Sequence, residues 1–173
     1  METFLDILKY VLPSVITFLT AFFLVKKFLE RDYQNQMVAM KAENQKMITP
    51  LRLQAYERLI LLMERTNLSD LITRTHKSGM SARMLHSELL KTIRNEFDHN
   101  IAQQLYVTNK SWDSLKTAKE ETIKTINIAA SHVSDTAPAM ELVNVLFDII
   151  TKVERLPTEI ATDMLKMEAR QLF

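Results

Sequence analysis

Residues 10–25 read YVLPSVITFLTAFFLV, sixteen consecutive positions without a charge, and Lys26 and Lys27 close the run. At a rise of about 1.5 Å per residue the run covers roughly 24 Å. Leu5, Ile7, Leu8, Phe28 and Leu29 extend it to the roughly twenty apolar positions that a hydrocarbon core of about 30 Å requires. Phe4, Leu8, Val11, Leu12, Val15, Ile16, Phe18, Leu19, Phe22 and Phe23 cover most of a helix circumference, whereas a core helix of a small domain keeps a polar stripe. A cleaved signal peptide begins with basic residues and ends on small ones; this segment begins with Glu2 and Asp6 and ends on two lysines. Pro13 falls in the first turns, where a missing N–H costs least. The stretch therefore predicts a transmembrane anchor over residues 1–29, with residues 7–27 in the lipid bilayer and Lys9 snorkelling to the headgroups at its own end.

Lys9 stands alone before the span, while Lys26, Lys27 and Arg31 follow it closely and Lys41 and Lys46 come soon after. Basic residues collect on the cytoplasmic side of a membrane helix, so the C-terminal bulk is expected in the cytoplasm. A chain without cysteine is compatible with a reducing compartment.

Gly79 is the single glycine in 173 residues. Glycine supplies the positive-φ positions that hairpins, phosphate-cradling loops and nucleophile elbows need, so the composition predicts an all-α fold. It also excludes a G-x-G-x-x-G fingerprint, a Walker loop and a G-x-S-x-G elbow, each of which needs at least two glycines. The lack of cysteine excludes thiol nucleophiles and Cys-ligated zinc or iron–sulfur centres. From Leu51 onward sixteen basic and sixteen acidic residues balance, without the basic excess of a nucleic-acid binder.

Proline and capping residues divide the rest. Residues 30–49 form a polar, glycine-free helical connector, and Thr49-Pro50 reads as an N-cap followed by proline at the first helical position, opening a helix to about Arg65. A short helix over Ser69–Thr75 leads to a turn at His76-Lys77-Ser78-Gly79, and Ser81 caps a helix expected to reach about Tyr106. Thr108 or Asn109 starts the next, to about His132. Ser134–Pro138 is a loop, Ala139–Arg155 an apolar helix, and Pro157 opens the last. Residues 50–173 are thus expected to form one antiparallel bundle of about five helices. Leu85, Leu89, Ile93, Phe97, Ile101 and Leu105 recur every fourth residue and are expected in its core, as are Leu142, Val143, Leu146, Ile149, Ile150 and Val153 and the single tryptophan, Trp112.

Tyr33, Met37, Met40, Asn44, Met47 and Leu51 follow a 4-3-4-3-4 spacing, an a/d seam with asparagine at one a position, and Ser14, Thr17 and Ala21 line one side of the anchor. These residues are candidates for self-association as a homodimer; a solvated spacer, or a stripe folded onto the bundle, is the alternative use of the same pattern. The ten methionines, Met63, Met80, Met84, Met164 and Met167 among them, suit either a core or an adaptable binding surface.

Glu96 and His99 form Glu-x-x-His, whose i, i+3 spacing puts carboxylate and imidazole on one helix face, as in di-iron carboxylate bundles. A complete site needs a second such pair and two further glutamates; Glu57, Glu64, Glu120 and Glu121 offer carboxylates only. Thr92 and Gln103 share the face, so a surface or interhelix hydrogen-bond pair is the bland alternative to a metal site. His76, His86 and His132 fit caps, turns or boundaries. Ser87, Asp98 and His99 carry the letters of a catalytic triad, but helical neighbours do not converge as one requires. Asn100, Gln103, Gln104 and Asn109 form an amide-rich group suited to helix pairing or to water.

Phe23-Leu24-Val25-Lys26-Lys27-Phe28-Leu29, Pro50-Leu51-Arg52-Leu53-Gln54-Ala55-Tyr56-Glu57-Arg58-Leu59, Arg94-Asn95-Glu96-Phe97-Asp98-His99-Asn100, Gln103-Gln104-Leu105-Tyr106-Val107 and Trp112 together make the chain resemble, over nearly its full length, an uncharacterised family of short bacterial single-pass membrane-anchored helical proteins. The resemblance implies the inner membrane of a bacterium and supplies no catalytic residues. The expectation is a non-enzymatic adaptor, scaffold or accessory module with no cofactor and an unknown protein partner. The competing expectations are a membrane-tethered metal-dependent enzyme or metal sensor using Glu96 and His99, and membrane remodelling by the bundle itself.

Overall fold

The computed structural model describes the backbone from Glu2 to Leu172, and the side chains of Lys9 and of residues 11–172. Phe4, Leu5, Ile7, Leu8 and Tyr10, which lengthen the apolar run in the sequence, have side chains outside the described residues. The fold is all-α: α1 (Glu2–Thr66), α2 (Leu68–Thr75), α3 (Ala82–Asn100), a 3-10 helix (Ile101–Leu105), α4 (Asn109–Ser131), α5 (Ala139–Lys152) and α6 (Pro157–Leu172). Contacts group the chain into two compact units that meet between Thr49 and Pro50.

The first unit is helix alone. Within α1 an 18-residue window has mean hydropathy 1.7 and no buried position, so by length and composition it is able to cross a membrane. From Val11 to Thr49 every residue is exposed except Met37, which is half-buried.

Pro50 does not open a helix; it lies inside α1, which continues to Thr66. Proline there removes one backbone donor and normally costs about 3 kcal/mol in a helix interior. Burial of Ala55, Tyr56, Leu59, Leu62 and Met63 downstream compensates, since each fully buried large side chain contributes roughly 1.5–3 kcal/mol.

In the second unit the local signals act as their chemistry requires. Ser81 accepts the Met84 amide at 3.3 Å and Thr108 accepts the Ser111 amide at 3.3 Å, so each hydroxyl satisfies a first-turn donor of α3 and α4. α2 begins at Leu68, one residue before the expected start, and Asn67 caps it by accepting the Ser69 amide at 3.1 Å. Gly79 sits at φ +85° in the turn before α3, a conformation that side-chain-bearing residues rarely adopt.

The core runs through Leu59, Leu71, Leu85, Leu89, Ile93, Leu115, Ile126, Leu142, Leu146 and Leu165, all fully buried. α4 packs against α3, α5 and most extensively α6. His86 reaches Asn127 while Lys119 sits over the Phe97 ring, so α3 and α4 run antiparallel. α3 and α5 instead start side by side. An isolated antiparallel bridge joins Ser81 to Pro138, with Ala82 N–H donating to Ala137 O at 2.8 Å and Ala139 N–H to Met80 O at 3.0 Å.

Two stretches depart from the expected core. α3 ends at Asn100, and the following 3-10 helix tightens the winding from about 3.6 to about 3.0 residues per turn. Ile101 and Leu105 are thereby carried off the core face, and Leu105 is 80% exposed. α5 ends at Lys152, leaving Val153 outside it and exposed, with Ile149 and Ile150 half-buried. Trp112 is likewise only partly buried, packed against the core rather than within it.

Candidate functional site

The densest polar chemistry in the second unit surrounds Glu168, in the last turns of α6. Its carboxylate accepts the Tyr56 phenol at 2.5 Å, the Thr108 amide at 2.8 Å and the Thr108 hydroxyl at 2.7 Å, and it also accepts the Ser111 hydroxyl. Tyr56 comes from α1, Thr108 and Ser111 from the start of α4. One carboxylate therefore joins three helices. Its negative charge lies at the N-terminus of α4, the favourable end of that helix dipole. Next to it, the Arg52 guanidinium donates to the Tyr106 carbonyl at 3.1 Å, tying the opening of the unit to the end of the 3-10 helix.

Burial pushes the Glu168 carboxyl up, but hydrogen bonds from Ser111, Tyr56 and Thr108 outweigh it and hold the group below its ordinary value. Burial is also the largest influence on Tyr56. With the hydrogen bond to Glu168 and its charge, and against the opposing pull of Arg52, it raises the phenol to about 12. A phenol made harder to ionise next to a carboxylate made harder to protonate is a poor acid–base couple near neutrality. Every donor in the group is spent on a neighbour, so the arrangement acts as a fastening between helices.

Glu96 and His99 are not brought to a common ligand position. Glu96 pairs with Arg65 at 2.7 Å, and His99 donates from Nδ1 to the Asn95 carbonyl at 3.3 Å. Thr92 donates to Glu88 O at 2.8 Å and Asn100 to Glu96 O at 2.8 Å, so much of this face turns back on its own helix. Among the described residues no group of three or more His, Cys, Asp or Glu is arranged to hold a metal ion. Tyr33, Met40, Asn44 and Met47 lie exposed along α1, with Met37 half-buried.

The Glu168 fastening was missed in the sequence. Thr108 was legible as a cap, but Glu168 and Tyr56 are 112 positions apart and belong to no spacing pattern.

A family model described as "Family of unknown function (DUF7935)" matches residues 2–172. The chain belongs to that family. No curated protein and no solved structure matches it. For this DUF7935 member the findings therefore support a small all-α domain without clear catalytic or metal-binding features among its described residues.

Proposed function

We propose that this DUF7935 protein is a single-pass, membrane-anchored, non-enzymatic interaction module, an adaptor, scaffold or accessory subunit, whose helical domain faces the cytoplasm of a bacterial cell. The observation that carries the reading is the apolar part of α1. Phe18, Phe22, Phe23, Leu24, Val25, Phe28 and Leu29 are each more than half exposed, an arrangement that water disfavours and a bilayer stabilises. Lys26, Lys27 and Arg31 follow the apolar stretch and favour a cytoplasmic C-terminal domain. The use of Glu96 by Arg65 weighs against the metal-dependent alternative.

Carbonate-washed membranes should retain the intact chain, and a C-terminal reporter should be active only in the cytosol. Release of the chain into the supernatant, or a reporter active only outside the cytosol, overturns the reading. Proximity labelling in the native host then identifies the partner.

The heptad seam adds self-association to this proposal, through Tyr33, Met37, Met40, Asn44 and Met47. The chain has no native cysteine. A lone cysteine at Met40 should crosslink between copies, while one at the off-seam Ala39 should crosslink far less.

A further inference from the structure

α6 begins at Pro157, and this start strands one hydroxyl. Thr66 in α1, Thr122 and Thr125 in α4 and Thr162 further along α6 each donate to the carbonyl four residues before them. Thr158 cannot, because the residue four before it, Glu154, lies ahead of the helix. Thr158 is 3% exposed, and its Oγ1 is buried without a partner among the described residues. Buried hydroxyls are ordinarily hydrogen-bonded, so this donor is suited to an acceptor that the chain does not supply.

Thr158 forms part of the wall of a cavity of about 200 Å³. The apolar wall is Leu68, Ile149, Ile150, Val153, Leu156 and Pro157, from α2, α5, the α5–α6 connection and the start of α6. Thr122 and Thr125 also line it, but their hydroxyls are committed to Ala118 O and Glu121 O. Two charged residues border the space. Arg155 is ion-paired with Asp163, and Glu121 lies near Lys124, with 3.6 Å between the charged atoms.

We propose that this cavity binds a small aliphatic carboxylate, its chain against the α5 and α6 side chains and its carboxylate accepting from Thr158 near Arg155. A cavity of about 150 Å³ holds benzene, which scales this one to roughly eight non-hydrogen atoms, the size of a medium-length acyl chain. A saturated chain matches the aliphatic wall, and a carboxylate matches the Thr158 hydroxyl donor beside the Arg155 guanidinium. Thr158 also borders a second, more charged groove, where the carboxylates of Glu64, Glu159 and Asp163 outnumber the cations of Arg155 and Lys166. The site is independent of the interaction module proposed above.

The test uses the full chain in lipid nanodiscs, with isotope-labelled hexanoate as probe and protein-free nanodiscs as baseline. The expected result is saturable binding of one hexanoate per chain, at least tenfold weaker in Thr158→Val, which keeps shape and removes the donor. Hexanol should bind at least tenfold more weakly than hexanoate. Val153→Trp places a ring at an exposed edge of the cavity and should abolish binding while the helical circular dichroism is unchanged; if that variant does not fold, Thr158→Val decides. Lack of saturable binding above the baseline overturns the proposal, as does equal binding by Thr158→Val. Hexanol binding as tightly as hexanoate overturns the anion assignment.

Discussion

Glu168 accepts the Tyr56 phenol at 2.5 Å across 112 positions of sequence and draws α1, α4 and α6 together at one carboxylate. Replacing Tyr56 by Phe removes one of its donors and leaves the rest, and should cost about 1 kcal/mol. Glu168→Ala strips the acceptor from Tyr56, Thr108 and the buried Ser111 at once and should cost about 3 kcal/mol. Urea unfolding of the two variants beside the unaltered chain measures both; equal costs would show that the carboxylate is not the hub.

The same pair sets two pH limits of opposite sign. Glu168 titrates below its ordinary value when folded, so its contribution is present above the unfolded carboxyl value and is lost as pH falls through the folded one. Tyr56 titrates higher when folded, about 12 against 10.0, so its contribution is complete below pH 10.0 and is lost as pH rises toward about 12. Midpoints of unfolding against pH should therefore fall at both extremes. Glu168→Gln should flatten the acid side and Tyr56→Phe the alkaline side.

Phe97 and Leu105 occupy the same every-fourth-residue series, yet the structure buries the first and exposes the second. Phe97→Ala should cost about 3–5 kcal/mol through the cavity it leaves, whereas Leu105→Ala should stay within about 0.5 kcal/mol. A comparable loss at Leu105 would mean that the 3-10 helix is covered in solution.

Glu96→Ala breaks an ion pair whose Arg65 partner is 58% exposed, and a pair so open to solvent contributes at most about 1 kcal/mol. His99→Ala should be nearly silent. The purified chain should carry no stoichiometric iron, manganese or zinc; metal that depends on His99 would restore the metal-dependent reading.

The sequence was most legible where the physics is local. Ser81 and Thr108 betray helix starts because a hydroxyl caps an amide three residues away, and Gly79 betrays its turn because it alone tolerates the φ found there. Legibility failed where distant residues decide the outcome. Thr49-Pro50 has the local form of a helix start, but burial from Ala55 onward favours one uninterrupted helix. The apolar spacing through Ile101 and Leu105 reads as helix because periodicity does not reveal a change of winding at Asn100. The Glu168 group leaves no trace in spacing at all, since its members come from three helices.

Glu168 follows every one of its hydrogen-bond donors in the chain. During synthesis Tyr56, Thr108 and Ser111 are all made before their shared acceptor, so the collapse of the earlier helices precedes the clasp that locks them. A premature stop after Lys166 would yield a product with almost every core side chain but no clasp.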